Sequence, residues 1–439
     1  MYSEVYKFIY IRLGTIYDLK RGKMAFKLDL RNIIKDDEKA LYKKYRRVFK
    51  KNLKREELTE KFCLLFLDLI YLHFKNKKRK LYKLFFPVIM ANFMELGSIN
   101  SVIREYRIKK NLYSESYTCR ILKQINEDDS LEISRIFRKI LFKLLKQNGF
   151  NDKGYCIAID ITAKPFYGDK RLLMIKGAKR KAGTNFAMQY LTASIVEEGV
   201  RFNLLCIPVN ALTSVPRKVQ AMISEIENMV RIKILFLDRG FGNRGYCRVL
   251  KLFQYKFVMP ITKNEKLQDF ELQIKKQSRI RKNEYTLSEF NYTFYENEPK
   301  EYQENVKLLA LQEDDKIFFF ITNIYNFNGE EYYSLIESYR YRFGIETNYR
   351  VDNIFSAFTS SVVASVRYLL MQISLIAEDL WVFVNFLIAD KNHQQPREKF
   401  KGKGSVLSII KARIKELNFI WRPTITAVQF KRQMERIFG

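Results

Sequence analysis

Apolar residues recur at three- and four-residue spacing through the first third of the chain, as in Glu38–Val48 and Glu57–Phe74, and predict amphipathic helices. After Phe85-Phe86-Pro87 the pattern predicts a helix from Val88 to about Glu95 and a turn at Gly97-Ser98. A short helix over Ile99–Tyr106, a polar connection and a helix over Ser114–Ile125 follow. The character changes near Gly154. Tyr155–Ile161 is a short apolar run, and Phe186–Val196 and Val200–Val209 read as strands joined at the turn Glu197-Glu198-Gly199. A helix over Val215–Val230, a strand over Ile234–Leu237, a helix over Arg244–Phe253 and a strand over Lys256–Ile261 complete an α/β pattern that opens with an antiparallel meander. Lys263–Lys282 is polar and basic. The short runs Asn291–Tyr295, Lys307–Ala310 and Ile317–Thr322 inside Glu284–Asn323 then predict a small β insertion. Glu330–Asp352, Leu369–Ile388, Val406–Leu417 and Thr424–Phe438 predict helices. The expected organisation is a basic helical region over 1–150, an α/β region over 151–390 and a helical region over 391–439.

Charge sharpens this picture. Seventy-nine Lys and Arg against 48 Asp and Glu leave a net charge of +31, on a chain whose 47% hydrophobic content supports large cores. A folded chain this basic is expected to meet a polyanion, nucleic acid first and an anionic membrane surface second. Leu369–Ile388 is long enough to span a bilayer, but Glu378 and Asp379 sit at its centre, so a buried helix is expected and no membrane partner. The N-terminal segment interleaves charges with its apolar residues, so no signal peptide is expected, and a cytoplasmic, nucleoid-associated location is. Lys75–Lys80 reads either as a solvated linker or as a phosphate-contacting loop. The short helices between Val88 and Ile125 are compatible with helix-turn-helix DNA binding, as they are with any small helical unit. Five scattered cysteines and two distant histidines exclude a zinc ribbon and disfavour a Ser-His-Asp site, which leaves carboxylates as the expected catalytic groups.

Asp160 and Asp238 stand in or at the end of apolar runs, where a charge is costly unless it is paired or binds a metal. Either alone could merely cap a following turn. Downstream, Tyr339, Arg342 and Glu346 are spaced i, i+3, i+7, which places them on one helical face. An ordinary Arg–Glu pair beside a packed tyrosine would have the same spacing. Three carboxylates converging over a sheet would form a hard-oxygen site for Mg²⁺ or Mn²⁺, and two such ions suit phosphoryl transfer. Lys164, Lys170, Arg171, Lys176, Lys179, Arg180 and Lys181 follow the first strand, Arg239 adjoins Asp238, and Lys263 and Lys266 follow the last strand. Singly each reads as solvated surface; together they fit a DNA-binding face.

The segments IAIDITAKPFYG, ILFLDRGF and YRYRFGIETNYR resemble the three acidic motifs of DDE transposases of prokaryotic insertion sequences, in the branch with a Tyr-x2-Arg-x3-Glu-x6-Lys signature. Asn353 stands at the position of the final Lys. The resemblance implies an RNase H-like catalytic domain with a β-strand insertion at about 264–328. It implies that Asp160, Asp238 and Glu346 form the catalytic, metal-binding triad for two Mg²⁺ or Mn²⁺ ions, and that Tyr339 and Arg342 contact the DNA end. Cleavage at the ends of a mobile element and joining to target DNA, by a homodimer on paired ends, is the implied activity. A metal-dependent nuclease or resolvase on the same fold, and a non-catalytic DNA-binding protein derived from a transposase, are the alternatives.

Overall fold

The computed structural model describes residues 78–93, 97–147, 154–197, 200–210, 212, 214–278, 285–313, 316–342, 354–392 and 427–438. The expected helices Glu38–Val48, Glu57–Phe74 and Val406–Leu417 lie outside the described residues, as do Lys75–Lys77, Glu346 and Asn353.

The first helices are α1 (Lys78–Phe93), α2 (Ile99–Tyr106), α3 (Glu115–Leu122) and α4 (Glu127–Gln147). Polar residues set where the short ones begin. Ser98 caps α2 by accepting from Ser101 N, and Ser101 Oγ accepts in return from Ser98 N, while Ser114 caps α3. The start expected at Val88 is corrected, because α1 runs through Pro87. A proline costs a helix one hydrogen bond, but Leu84, Phe85, Phe86 and Val88–Ala91 are all buried, and that packing holds the helix together across the break.

Among the described residues nine strands form one sheet. They are β1 (Tyr155–Pro165), β2 (Ile175–Lys181), β3 (Thr184–Glu197), β4 (Val200–Val209), β5 (Ile232–Leu237), β6 (Phe257–Pro260), β7 (Tyr285–Phe294), β8 (Glu304–Glu313) and β9 (Lys316–Thr322). The order is β2-β3-β1-β5-β6-β9-β8-β7, and β4 pairs with the later part of β3. β1 runs parallel to β5 and β5 to β6, while the other pairings are antiparallel. Two expectations change here. The basic link after the first strand contains β2, whose only buried side chain is Ile175, so its sequence carries no alternation to reveal it. The expected separate β insertion is instead an extension of the main sheet, because β9 pairs with β6 at Val258–Thr322 and carries β8 and β7 beyond it.

Strand alternation sorts the two faces. Ile157, Ile159, Leu235, Leu237, Phe257 and Met259 join the main core with α5 (Val215–Glu227), α6 (Arg244–Leu252) and α7 (Glu265–Ser278). Ala158, Phe236, Val258, Leu309, Leu311 and Phe320 form a second core with α8 (Gly329–Tyr339). α9 (Ala364–Asn392) packs on β4 and α4, and α10 (Ala427–Phe438) packs on α1.

α9 is the apolar stretch that Glu378 and Asp379 interrupt. Asp379 accepts a hydrogen bond from Asn203 N at 2.8 Å and lies 3.6 Å from the buried guanidinium of Arg138 on α4, while Glu378 accepts from Asn203 Nδ2 at 3.0 Å. Arg138 Nε donates to the Asn203 carbonyl at 2.8 Å. Among the described residues no helix is long and apolar enough to cross a membrane. These bonds, with the Arg135–Glu225 pair at 2.5 Å, also tie α4 to the sheet, so packing crosses the expected boundary at residue 150.

Candidate functional site

The parallel pairing of β1 with β5 puts Ile159 beside Leu237, so the next residues, Asp160 and Asp238, leave the sheet side by side. Adjacent strands are about 4.8 Å apart, and register partners in a sheet share a face. Ala158 and Phe236, two residues earlier, belong to the α8 core, which places both aspartates on the α8 face at the carboxyl ends of their strands. Asp160 Oδ1 accepts from Ile161 N at 2.7 Å, and Thr192 Oγ1 donates to the Asp160 carbonyl from β3.

Asp238 does not spend its carboxylate as a cap. It precedes a 3₁₀ turn over Arg239–Phe241 with extended backbone and no side-chain capping bond, so the turn-capping explanation of this residue falls away. The chain then closes tightly at Gly242, where an added Cβ would meet the Pro260 carbonyl oxygen at 2.5 Å. Any larger residue would push the turn after β5 away from the end of β6, and Asp238 with it.

α8 carries the third motif to these carboxylates. Asn328 and Glu331 close a reciprocal capping box at its start, and Tyr332, Leu335, Ile336 and Tyr339 bury its inner face. The single helix expected over Glu330–Asp352 is corrected in part, because α8 ends at Tyr339 and a 3₁₀ turn spans Arg340–Arg342. In a 3₁₀ turn, positions i and i+3 eclipse, so Arg342 still lies over the Tyr339 ring, its guanidinium carbon 5.4 Å from the centroid. Arg342 Nη2 reaches Asp238 Oδ1 at 3.3 Å.

Tyr339 was expected at a DNA end. Its ring is 3% exposed, packs edge-on against Phe236 and Phe320, and donates its hydroxyl to the Leu237 carbonyl at 3.1 Å. That leaves little surface to offer DNA. Burial raises the phenol's pKa, Arg342 lowers it, and the charges of Asp238 and Asp160 raise it further. Both carboxylates therefore act on one ring. Glu346 falls within 343–353, outside the described residues; among the described residues no group of three or more His, Cys, Asp or Glu side chains is placed to hold a metal. The two aspartates present suit one: both are hard-oxygen donors, one strand apart and on one face.

Beside Asp238 opens a groove of about 1030 Å³, lined by Arg239, Lys263, Lys316, Arg340 and Arg342 with Phe318 and Phe320 among its apolar walls. Arg239, Lys263, Lys316 and Arg340 are exposed. Lys263 pairs with Glu271 and Arg340 with Glu313, so part of this charge is internally compensated. Sequence reading missed Lys316 and Arg340. Lys316 comes from β9, whose place beside β6 no local pattern encodes, and Arg340 lay in plain sight in the YRYR run. Lys164, on the Asp160 face of β1, donates to Ser356 Oγ at 3.2 Å. Lys170, Arg171, Lys179 and Arg180 are exposed and Lys176 partly so, whereas Lys266 is held by Glu296.

Away from the sheet, α2 and α3 present Arg104, Arg107, Lys109, Arg120 and Lys123 to solvent. Tyr113 and Tyr117 stack at 4.7 Å between Lys83 and Arg120, each cation over one ring. Arg104 is spent on Glu115 at 2.8 Å.

No protein-family model matches the chain, and no curated protein matches it. Among solved structures it is similar to the piggyBac transposase in a synaptic complex with hairpin DNA, determined by cryo-electron microscopy, with 13% identity and a TM-score of 0.44 over 82% of this chain and 76% of that one.

Proposed function

We propose that this chain is a DDE transposase that cuts DNA at the ends of a mobile element and joins the freed ends to target DNA. The observation that carries the reading is the side-by-side placement of Asp160 and Asp238 at the ends of adjacent parallel strands, with Arg342 of the third motif in contact with Asp238. The strand order β4-β3-β1-β5-β6, antiparallel in its first pairs and parallel in its last, supports an RNase H-like core, with β7–β9 as an addition to its edge.

Asp160, Asp238 and Glu346 are the proposed ligands of two Mg²⁺ or Mn²⁺ ions. Bound there, these ions would activate the attacking oxygen and stabilise the leaving oxygen of a phosphodiester. The protein's own residues do the rest. Arg342 offers a planar fork to a phosphate, which suits orientation of the scissile group. The cations of the groove, Arg239 and Lys263 among them, and Lys164 along β1 bind the flanking backbone. Tyr339 fixes Arg342 from beneath. Water and then a DNA 3′-hydroxyl act as nucleophiles, and the chain works as a homodimer on paired ends.

The test uses DNA carrying the ends that flank the reading frame. Mg²⁺-dependent cleavage followed by joining to a second duplex is the expected result. Cleavage without joining would assign the chain to a nuclease or resolvase, and binding without either reaction to a retired, DNA-binding role.

A further inference from the structure

Arg342 and Asp238 are unequal partners. The Arg342 side chain is 5% exposed and Asp238 44%, with 3.3 Å between Nη2 and Oδ1. The guanidinium is held from below by the Tyr339 ring, and that ring is itself fixed by its bond to the Leu237 carbonyl. The cation is therefore built into the protein, while the anion faces the groove, open to anything that enters it.

A half-open carboxylate attracts a divalent ion more strongly than a monovalent one, so a metal ion arriving at Asp238 competes directly with Arg342. A guanidinium this deeply buried pays several kcal/mol if it loses its counter-ion and finds no other. The other carboxylates lining the groove are occupied: Glu271 by Lys263 and Lys275, and Glu313 by Arg340. Asp160 and Glu346 are committed to the metal in the proposed function. The replacement anion has to come from outside, and in a DNA-processing protein with a net charge of +31 it is a backbone phosphate.

We propose that Arg342 is an exchange cation: it neutralises Asp238 while no divalent ion is bound, and passes to a DNA phosphate when a metal ion takes that carboxylate. Metal and DNA then each favour the binding of the other, and the metal-loaded state forms mainly where DNA is present. This rests on the metal-and-DNA reading of the site and adds to it a coupling between the two ligands, which must be reciprocal.

The experiment is calorimetric titration of Mn²⁺ into the full-length chain without DNA, for the wild type and for Arg342→Gln, Arg342→Lys and Asp238→Asn, with circular dichroism to verify folding. Arg342→Gln removes the competing charge and should bind Mn²⁺ about fivefold more tightly or better, the lower end of ordinary coupling energies. Arg342→Lys keeps the charge and should bind as weakly as the wild type. Asp238→Asn should lose the site. A residue with only a structural role would weaken Mn²⁺ binding when replaced by Gln, or leave it unchanged, and either result overturns the exchange. If no protein shows Mn²⁺ binding that depends on Asp238, the metal reading itself falls, and the exchange with it.

A second measurement needs only the wild type and Asp238→Asn, should the Arg342 variants fail to fold. A short duplex should raise the wild-type affinity for Mn²⁺, after subtraction of the metal bound by the duplex with Asp238→Asn. An unchanged wild-type affinity would contradict the coupling.

Discussion

Tyr339 links the interior of the sheet to the reactive edge. Its hydroxyl satisfies the Leu237 carbonyl, one residue before Asp238, and its ring carries Arg342. Tyr339→Phe should cost about 1 kcal/mol in a denaturation experiment, the usual net worth of one such hydrogen bond. Tyr339→Ala should cost about 3–5 kcal/mol, because it also empties a packed site between Phe236 and Phe320. If both substitutions were silent for stability but abolished DNA binding, Tyr339 would be a recognition residue after all. A second residue-scale consequence concerns Asp379, whose pKa burial pushes up to about 7, against the pull of Arg138 and Asn203. The folded state holds this proton more tightly than the unfolded chain does. Its contribution is therefore full below about pH 4, where an ordinary Asp titrates, and is lost as the pH rises through 7. Asp379→Asn should flatten the fall in unfolding free energy between those limits, and an unchanged slope would assign the pH dependence elsewhere. At this scale much was legible. A charge inside an apolar run identified Asp160 and Asp238, because burying an unpaired carboxylate is too costly to occur without a purpose. The direction of Tyr339 was not legible: helical spacing says which residues share a face, but not whether that face meets solvent or the sheet.

Elements were read well where their periodicity was complete and poorly where the tertiary partner decides. α2 matched its predicted bounds, and α5 and α6 began where predicted, since each carries a regular apolar stripe between clear end signals. α7 was masked by its basic composition, although Leu267 and Ile274 are buried and Phe270 packs on Phe290, at i, i+3 and i+7. β2 and the seam between β6 and β9 exist only through pairing, which no local pattern records. Among the elements, α3 is the proposed recognition helix of the N-terminal region. Replacing exposed Arg120 and Lys123 by Ala should weaken DNA binding and reduce the slope of log affinity against log salt by about 0.9 for each phosphate left without its cation. An unchanged slope in the double variant would remove α3 from the DNA interface.

On the scale of the whole molecule, one continuous sheet serves two purposes. Its parallel centre delivers Asp160 and Asp238 to a shared edge, and its antiparallel extension raises the β9 wall of the groove beside them. α8 crosses from that extension back to the carboxylates, so the third motif reaches the first two only because β7–β9 complete the sheet beneath it. The central claim is that Asp160 and Asp238 on this edge act with Glu346 to hold the metal ions that cut DNA. Glu346→Gln keeps the shape of the side chain and removes the negative charge a hard cation requires. The decisive measurement is Mg²⁺-dependent cleavage of element-end DNA by this variant beside the wild type, with DNA binding followed in parallel. Cleavage should disappear while binding persists or strengthens, and a variant that cuts at the wild-type rate would contradict the three-carboxylate site.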